Sequence, residues 1–251
     1  MVCDYRPKKE DPYRTRLTVG GDRLECFGDS SSPVALLIET KLLLNSTISD
    51  ANQGAQFSCI DLKDHFLQSD LPEAEYMRIH GKYFFDDIRT KYNIDQIIAD
   101  DGYVYCRLKK GMYGLKQATR LAHDKLVQHL KPYGYKPDPL RPNLWTHKTR
   151  KTKFCLCVDD FGVKTYNHDD TNHLLSALKA AYNVTIDYSG KDYCGLTLEW
   201  NYNKGYVDIS MPKFVHKTLT KLKHNPPSGP QHAPHNWVKP NYTSKPLIKY
   251  N

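Results

Sequence analysis

Three aspartates of this 251-residue chain have the spacing expected of ligands to divalent metal ions. Asp61 lies near the end of the apolar segment 57–62, and Asp159 and Asp160 lie between the apolar segments 154–158 and 162–166. Synthesis of a phosphodiester uses two divalent ions about 3.5–4 Å apart. Magnesium prefers oxygen ligands and keeps some of its waters, so two or three carboxylates suffice. From spacing alone, an ordinary exposed acidic turn remains the alternative for the adjacent pair.

The elements that would position these aspartates follow from the hydrophobic pattern. Two short apolar runs on either side of Asp159 and Asp160 predict a β-hairpin, and a second hairpin is predicted from 196–201 and 206–210. Further strands are predicted over residues 13–19, 57–62 and 103–108. Helices are predicted over residues 34–44, 117–130, 171–182 and 212–222. Asp169 or Asp170 is expected to cap the third of these helices.

The positive charge is concentrated at the end of the chain. The net charge is +8, and residues 211–251 contain seven lysines and no acidic residue, which gives 7 − 0 = +7 for this segment. A basic region beside an acidic cleft suits a polyanion that is handled with divalent metals, while a merely solvated basic tail is the alternative. Six prolines after His224 leave little room for regular structure, so this segment is expected to be partly disordered.

Other classes of protein fit the sequence less well. No apolar run approaches the roughly 18–20 residues needed to span a bilayer, and residues 1–11 do not resemble a secretory signal, so no membrane association is expected. The seven cysteines form no C-x-x-C pair, which favours reduced thiols over a disulfide framework or a zinc ribbon. His232 and His235 form an isolated H-x-x-H without nearby partner ligands, so no zinc site is expected there.

Three segments, in this order and at this spacing, resemble the reverse transcriptase domain of copia-type (LTR) retrotransposon Pol polyproteins. They are IDLKDHFLQSDLPEAEYMRI (60–79), LKKGMYGLKQATR (108–120) and FCLCVDDFGVK (154–164), and the similarity extends from about Tyr13 to Leu222. The resemblance implies an α+β fold with a right-hand polymerase palm, in which helices back an antiparallel sheet. Residues 1–210 would form the palm and fingers, with the fingers partly truncated at the N-terminus, and residues 211–251 a small, basic, proline-rich thumb-like or connection segment.

The resemblance also implies roles for individual residues. The catalytic and metal-binding positions match Asp61, Asp159 and Asp160, which would hold two Mg²⁺ ions, with Mn²⁺ as a substitute. Phe66 matches an aromatic gate that crowds a 2′ hydroxyl and favours deoxynucleotides, and its alternative is an ordinary core aromatic. The other nucleotide-binding positions match Arg16, Gly114, Lys116 and Gln117. The primer-grip positions match Tyr193, Cys194, Gly195 and Leu196.

The activity that the resemblance implies is RNA-directed DNA polymerisation. The expected partners are an RNA or DNA template with its primer, deoxynucleoside triphosphates, and other polyprotein parts such as RNase H and integrase. The expected location is the cytoplasm, in a virus-like particle. An RNA-dependent RNA polymerase with the same palm is an alternative that Phe66 disfavours, and a catalytically inactive retroelement remnant that only binds nucleic acid is another.

Two single residues depart from the family pattern. Cys157 stands where the acidic motif usually has tyrosine, and His123 occupies a position where tryptophan is common. In addition, Ala118-Thr119-Arg120 replaces the more usual Ser-Pro-Arg. These changes affect the expected nucleotide pocket without altering a predicted metal ligand.

Overall fold

The computed structural model describes residues 2–5, 12–21, 30–224 and 229. The H-x-x-H pair and almost all of the proline-rich segment lie outside these residues, so the expectations about them stay predictions. The chain divides into two units, Met1–Ser210 and Met211–Asn251. The assignment of the first unit as palm and fingers and of the second as a thumb-like segment also stays a prediction.

Thirteen strands and six α-helices, together with four short 3₁₀ helices, make up the regular structure of the described residues. The strands are β1 (Val2–Tyr5), β2 (Tyr13–Arg16), β3 (Gln56–Lys63), β4 (Asp70–His80), β5 (Tyr103–Lys110), β6 (Tyr135–Pro137), β7 (Leu144–His147), β8 (Lys153–Cys157), β9 (Asp160–Thr165), β10 (Asn183–Asp187), β11 (Asp192–Tyr193), β12 (Leu196–Asn201) and β13 (Tyr206–Ser210). The helices are α1 (Leu37–Ser49), α2 (Asp86–Tyr92), α3 (Ile94–Ile97), α4 (Ala118–Leu130), α5 (His168–Lys179) and α6 (Pro212–Lys221). Of these elements, α6 alone belongs to the second unit. Among the described residues, no helix is both long enough and apolar enough to cross a bilayer.

A six-stranded sheet with the order β10-β3-β9-β8-β7-β6 is the centre of the first unit, and each neighbouring pair in it is antiparallel. Its two faces are covered differently, because successive residues of a strand point to opposite faces. One face packs on α4 and α5 through residues such as Ile60, Leu62, Phe161 and Leu174. The other face, which includes Phe57 and Cys155, packs on α1 and on the sheet β11-β12-β13. The predicted α+β fold, an antiparallel sheet backed by helices, is confirmed.

The second face also contains an ion pair between a buried lysine and a partly exposed aspartate. Lys164 on β9 is only 2% exposed. Its Nζ donates to the carbonyl oxygen of Ser46 at 2.9 Å and to Asp50 Oδ2 at 2.5 Å. The hydroxyl of Tyr166 donates to the same Asp50 oxygen at 2.6 Å. A buried lysine requires such partners because an uncompensated charge in the interior is costly, so β9 is fixed to the end of α1.

Several predicted elements agree with the structure and two details were wrong. The hairpin of β12 and β13 has the predicted bounds. The predicted caps Asp169 and Asp170 are wrong: α5 begins earlier, and Asn167 is its N-cap, whose Oδ1 accepts from the amide of Asp170 at 2.8 Å. The acidic hairpin is also shifted by one residue from the prediction, because Asp160 already belongs to β9.

Candidate active site

Asp61 and Asp160 lie directly opposite each other on the neighbouring strands β3 and β9. Directly opposite residues of an antiparallel pair project from the same face, with Cβ atoms about 4.5–5.5 Å apart. This is the face that α1 and the three-stranded sheet cover, because Phe57 and Cys59 precede Asp61 at alternate positions of β3 and pack there. The central pairing of the sheet therefore brings together two of the three predicted metal ligands.

Asp159 lies in the tight turn between β8 and β9. Cys157 pairs with Asp160, so the turn consists of Val158 and Asp159 alone. Val158 has a φ of 62°, a left-handed conformation that is uncommon and strained for a β-branched residue. The amide of Leu62 donates to the carbonyl oxygen of Asp159 at 3.0 Å. This hydrogen bond fixes the turn beside the end of β3, next to Asp61.

The three carboxylates are crowded enough to affect one another. The pKa of Asp160 is raised to about 6, first by burial and then by the charges of Asp159 and Asp61. Thr185 on β10 donates from its hydroxyl to Asp61 Oδ2 at 3.3 Å. Like charges held close together in a partly buried place are unfavourable by themselves, which is the arrangement that a bound cation would relieve.

The donor set fits divalent ions, although the side chains do not form a closed cage. Among the residues that the structure describes, no three His, Cys, Asp or Glu side chains converge to hold one ion by themselves. Magnesium commonly takes one or two carboxylates and completes its shell with water and substrate phosphate oxygens. The chemistry of Asp61, Asp159 and Asp160 and their mutual repulsion fit such an open site.

Arg16 and Phe66, both predicted to contact the nucleotide, are joined through Tyr113. The ring of Phe66 meets that of Tyr113 edge to face, with centroids 5.0 Å apart. The guanidinium carbon of Arg16 lies 4.7 Å from the centroid of the Tyr113 ring. The Nε atom of Arg16 is buried and has no hydrogen-bond partner among the described residues. The Nε–H of Arg16, at one end of the row that continues through Tyr113 to Phe66, is thus a donor that a ligand could satisfy.

Gly114 lies where the segment after β2 crosses the loop before α4. Its φ is 95°, and a Cβ atom there would lie 2.0 Å from the carbonyl oxygen of Val19. The amide of Val19 donates to the carbonyl oxygen of Tyr113 at 2.8 Å. A Cβ on Gly21 would in turn lie 1.8 Å from the carbonyl oxygen of Gly114. Only glycine permits this close approach of two backbones. The backbone crossing therefore requires glycine at position 114, which the resemblance also singles out.

The other two predicted nucleotide-binding residues have different surroundings. Lys116 is exposed. Gln117 is half-buried at the N-terminus of α4, where its Nε2 donates to Glu75 Oε1 on β4 at 2.9 Å. Gln117 therefore connects the helix to β4, which forms a two-stranded antiparallel sheet with β5. Direct contact of either residue with a nucleotide stays a prediction.

The four predicted primer-grip residues form the turn from β11 to β12, and they divide into a buried and an exposed part. Tyr193 is buried, and its hydroxyl donates to the carbonyl oxygen of Cys155 at 3.0 Å. Cys194 and Gly195 are exposed and have left-handed φ values of 48° and 81°. Leu196, half-buried, begins β12. Tyr193 thus anchors the turn to β8, beside the acidic hairpin.

The two departures from the family pattern have clear structural positions. Cys157 lies at the end of β8, half-buried, directly opposite Asp160. His123 lies on α4 with its ring centroid 6.3 Å from that of Trp145. Burial lowers the pKa of His123, and Asp124, whose Oδ1 lies 3.6 Å from His123 Nδ1, opposes that shift. His123 is therefore placed by the packing of α4 against Trp145.

Sequence reasoning did not assign roles to two residues of the site, Tyr113 and Thr185. Tyr113 lies inside the quoted segment 108–120, but only the structure shows that its ring separates Arg16 from Phe66. Thr185 lies on β10, whose alternation in Asn-Val-Thr-Ile-Asp would have predicted a strand. Its pairing with Asp61 depends on the distant register of β10 and β3.

Comparisons with known proteins agree with this geometry. Residues 5–226 match the family of reverse transcriptases (RNA-dependent DNA polymerases). The Transposon Ty1-BL Gag-Pol polyprotein of Saccharomyces cerevisiae is 23% identical over 234 residues, which is 90% of this chain and 12% of that polyprotein. The truncated transposon Ty1-A Gag-Pol polyprotein of the same yeast is also 23% identical over 90% of this chain, and 18% of its own length is covered. This chain thus spans less than a fifth of either relative.

Among solved structures, telomerase from Candida albicans, in complex with a fragment of telomeric RNA, matches 76% of this chain and 38% of its own. The sequence identity is 11% and the TM-score is 0.38. The assignment rests instead on the family match, which covers residues 5–226. These residues include Asp61, Asp159 and Asp160, and also the close backbone contact at Gly114. The predicted resemblance is confirmed, and the chain belongs to the reverse transcriptase (RNA-dependent DNA polymerase) family, in its copia-type retrotransposon branch.

Proposed function

We propose that this chain adds deoxynucleotides to a primer under the direction of an RNA or DNA template. The observation that carries the proposal is the direct cross-strand pairing of Asp61 with Asp160, with Asp159 in the adjoining turn. A structural acidic turn has no need of a third carboxylate on the neighbouring strand, because like charges placed opposite each other destabilise a sheet.

Asp61, Asp159 and Asp160 would hold two Mg²⁺ ions, which Mn²⁺ can replace. When bound, such ions lower the pKa of an attacking hydroxyl and neutralise charge on phosphate oxygens. The protein's own part is to keep the carboxylates in place. The Leu62 amide and the Thr185 hydroxyl do this through their hydrogen bonds to Asp159 and Asp61.

The remaining groups would position the nucleotide and the primer. Arg16 supplies a positive charge and a buried, unsatisfied N–H for the triphosphate, in keeping with the strength of guanidinium–phosphate pairs. Phe66 is held against Tyr113 and would limit the space beside the sugar C2′. The exposed turn Cys194-Gly195 would contact the primer, since Tyr193 anchors it beside Asp160. Catalysis of this kind consists mainly of positioning and electrostatic stabilisation.

The proposed partners are a primed RNA or DNA template, deoxynucleoside triphosphates, and other polyprotein parts such as RNase H and integrase. The proposed setting is a cytoplasmic virus-like particle. These statements rest on membership of the family.

Primer extension on poly(rA)/oligo(dT) with Mg²⁺ tests the proposal. The parent chain should incorporate deoxynucleotides, and Asp61→Asn and Asp159→Asn should each abolish incorporation. Asp208→Asn, which removes an exposed carboxylate on β13, is the matched control and should extend like the parent. Equal incorporation by the parent and both site variants would contradict the mechanism. No incorporation by the parent, together with retained binding of the primed template, would instead indicate a chain that only binds nucleic acid.

A further inference from the structure

The two-stranded sheet of β4 and β5 has one covered face and one open face. Successive residues of a strand point to opposite faces, and the exposure of the side chains follows this alternation along both strands. The covered face consists of buried or half-buried residues, namely Glu75, Met77, Ile79, Val104, Cys106 and Leu108. The open face consists of Tyr76, Arg78, His80, Tyr103, Tyr105 and Arg107. These last six residues are called the tyrosine–arginine face.

Aromatic rings and cationic groups alternate across the tyrosine–arginine face. The register places Tyr76 opposite Arg107, Arg78 opposite Tyr105, and His80 opposite Tyr103. Tyr76 is 66% exposed and Tyr105 is 59% exposed. None of the six residues is acidic, and the exposed Lys109 follows at the next alternate position of β5. The face therefore presents ring surfaces to solvent between positive charges.

Two of the rings are held in place by their neighbours. The hydroxyl of Tyr105 donates to Asp101 Oδ2 at 2.7 Å, and the amide of Tyr103 donates to Asp101 Oδ1 at 3.0 Å. The guanidinium carbon of Arg78 lies 4.6 Å from the centroid of the Tyr103 ring, and the His80 ring centroid lies 5.0 Å from it. Side chains that are already ordered lose less conformational freedom when a ligand binds. These contacts therefore prepare the face for a ligand.

The open face lies on the opposite side of the sheet from the proposed nucleotide site. On the covered side, Glu75 Oε1 accepts from Gln117 Nε2 at 2.9 Å. Leu108, also on the covered side, packs with Phe66 on the buried cluster around Leu115. Because residues of the open face project the other way, their rings point away from Gln117 and Phe66. A ligand bound to the open face would thus occupy a separate surface.

We propose that the tyrosine–arginine face binds single-stranded nucleic acid, with bases stacked on Tyr76 and Tyr105 and phosphates bound by Arg78 and Arg107. Aromatic side chains accept a stacked base of any sequence, and a cationic surface follows the backbone of a single strand. Guanidinium groups also form strong hydrogen bonds to phosphate. The site stands on the geometry of the sheet, and its use for an unpaired part of a template rests on the proposed function.

The composition of the face favours a single strand over a duplex or a protein. In a duplex the faces of the bases are stacked on one another, whereas bases of a single strand are free to stack on side chains. The buried core of a protein–protein interface is mainly apolar, and none of the six residues is aliphatic. Positive charges between exposed rings match phosphates between bases.

Photocrosslinking of the whole chain to an oligouridylate that contains 5-iodouridine tests the site directly. A length of about 12 nucleotides lies within the range that one single-strand groove covers. Trypsin releases Tyr76 in the peptide 64–78, together with Phe66, and Tyr105 in the peptide 92–107, together with Tyr92. Fragmentation of the linked peptides should place the base on Tyr76 and Tyr105. Linkage to Phe66 without Tyr76 or Tyr105 would place the strand in the proposed nucleotide site and overturn the inference.

Fluorescence anisotropy with the same oligonucleotide, labelled at its 5′ end, measures the contribution of the rings. Tyr76→Ala and Tyr105→Ala should each weaken binding by about 5- to 100-fold, because each loses the stacking of one base. Tyr105→Phe keeps the ring without the hydrogen bond to Asp101, and should bind within about threefold of the parent. Tyr92→Ala removes a tyrosine of α2 that is 57% exposed, and it should bind like the parent.

A salt series measures the contribution of the charges. Arg107→Gln should reduce the slope of log affinity against log salt concentration by about 0.7, as expected for one phosphate contact with a single strand. Lys179→Gln removes an exposed charge at the end of α5 and should leave the slope unchanged. Equal slopes for the parent and Arg107→Gln would exclude the phosphate contact and overturn that part of the inference.

Three further results would overturn the site as a whole. A parent chain that binds no oligonucleotide would do so, and so would a blunt-ended duplex that binds more tightly than the single strand and is lost equally in both alanine variants. Alanine variants that bind like the parent would leave the face to a protein partner. None of these measurements involves polymerisation, so an inactive chain that still binds through the tyrosines would count against the proposed function alone.

Discussion

Asp61 and Asp160 face each other across the pairing of β3 and β9, on the side of the sheet where the strands are covered by α1 and by the β11-β12-β13 sheet. The pairing places two negative charges in a position where water screens them incompletely. Burial is the main reason that the pKa of Asp160 is raised to about 6. The site is therefore built at a cost to the stability of the metal-free chain.

Asp160→Asn should stabilise the metal-free protein while it abolishes primer extension. The substitution removes a partly buried charge and its repulsion by Asp61 and Asp159. After allowance for screening by solvent, we expect the free energy of unfolding at neutral pH to rise by about 1 kcal/mol. Urea denaturation in the presence of a chelator measures this, with Asp208→Asn as the control for loss of an exposed carboxylate. A clear loss of stability in Asp160→Asn would mean that the carboxylate has a structural role.

The buried ring of His65 should make the protein less stable in mild acid. Burial lowers the pKa of His65 to about 4, whereas an unfolded histidine titrates near 6.5. As the pH falls, His65 is therefore protonated in the unfolded chain before it is protonated in the folded one. The contribution of the neutral His65 ring to the free energy of unfolding is fully present above pH ~6.5 and is lost progressively as the pH falls towards ~4. Between pH 7 and pH 5 the free energy of unfolding should fall by about 2 kcal/mol on this account.

His65→Phe isolates this effect from other titrations. A phenyl ring can keep the contacts with Phe66 and Tyr182, which lie 5.9 and 5.8 Å from the His65 ring centroid. In denaturant unfolding, the free energy of unfolding of this variant should not show the fall of about 2 kcal/mol between pH 7 and pH 5 that His65 causes in the parent. His168→Gln, which removes an exposed histidine at the start of α5, should retain the parental loss. If His65→Phe loses as much stability as the parent, His65 is not the responsible group.

Phe66→Val should weaken the selection of deoxynucleotides over ribonucleotides. The shorter side chain opens space beside the position proposed for the sugar and removes the edge-to-face contact with Tyr113. We expect the ratio of kcat/KM for the two nucleotides to fall by about 10–100-fold. Single-nucleotide extension gives both values. Tyr113→Phe keeps the ring that supports Phe66 and should preserve the ratio, whereas an unchanged ratio in Phe66→Val would return Phe66 to the role of a core aromatic.

Gly114→Ala should displace the segment after β2 from the loop before α4. The new Cβ would combine the strain of a left-handed φ, about 1–2 kcal/mol, with a clash against the carbonyl oxygen of Val19. Gly205→Ala is a close control, because Gly205 has a φ of 70° and no atom within 4 Å of the new Cβ. Hydrogen exchange at the Val19 amide, which donates to Tyr113, should accelerate in Gly114→Ala and remain parental in Gly205→Ala. Equal exchange rates of the Val19 amide in both variants would show that the backbone contact at position 114 tolerates a side chain.

Local patterns in the sequence predicted the elements that local forces determine. The β12-β13 hairpin was placed with its observed bounds because two alternating segments flank a turn that contains Gly205. The cap of α5 was misplaced because Asp169, Asp170 and Asn167 are all suitable capping residues, and only the backbone conformation selects Asn167.

The site itself depended on information of longer range. The motif resemblance identified the three aspartates, but the register that pairs Asp61 with both Asp160 and Thr185 joins segments about 100 residues or more apart. No local pattern predicts which strands become neighbours, because strand order is decided by the packing of the whole sheet. The contact of Cys194 with Asp160 was missed for the same reason, since it requires the three-stranded sheet to pack on the six-stranded one.

The ion pair of Lys164 with Asp50, at the far end of β9, has a consequence for the register of the strand. A shift of β9 by one residue along β3 would turn Lys164 towards the face covered by α4 and α5 and leave its charge without Ser46 and Asp50. A shift by two residues would keep the face but draw the ammonium away from the end of α1. Either misalignment carries an electrostatic penalty at Lys164, four residues from Asp160. The contacts of Lys164 therefore favour the one register of β9 and β3 in which Asp160 lies opposite Asp61.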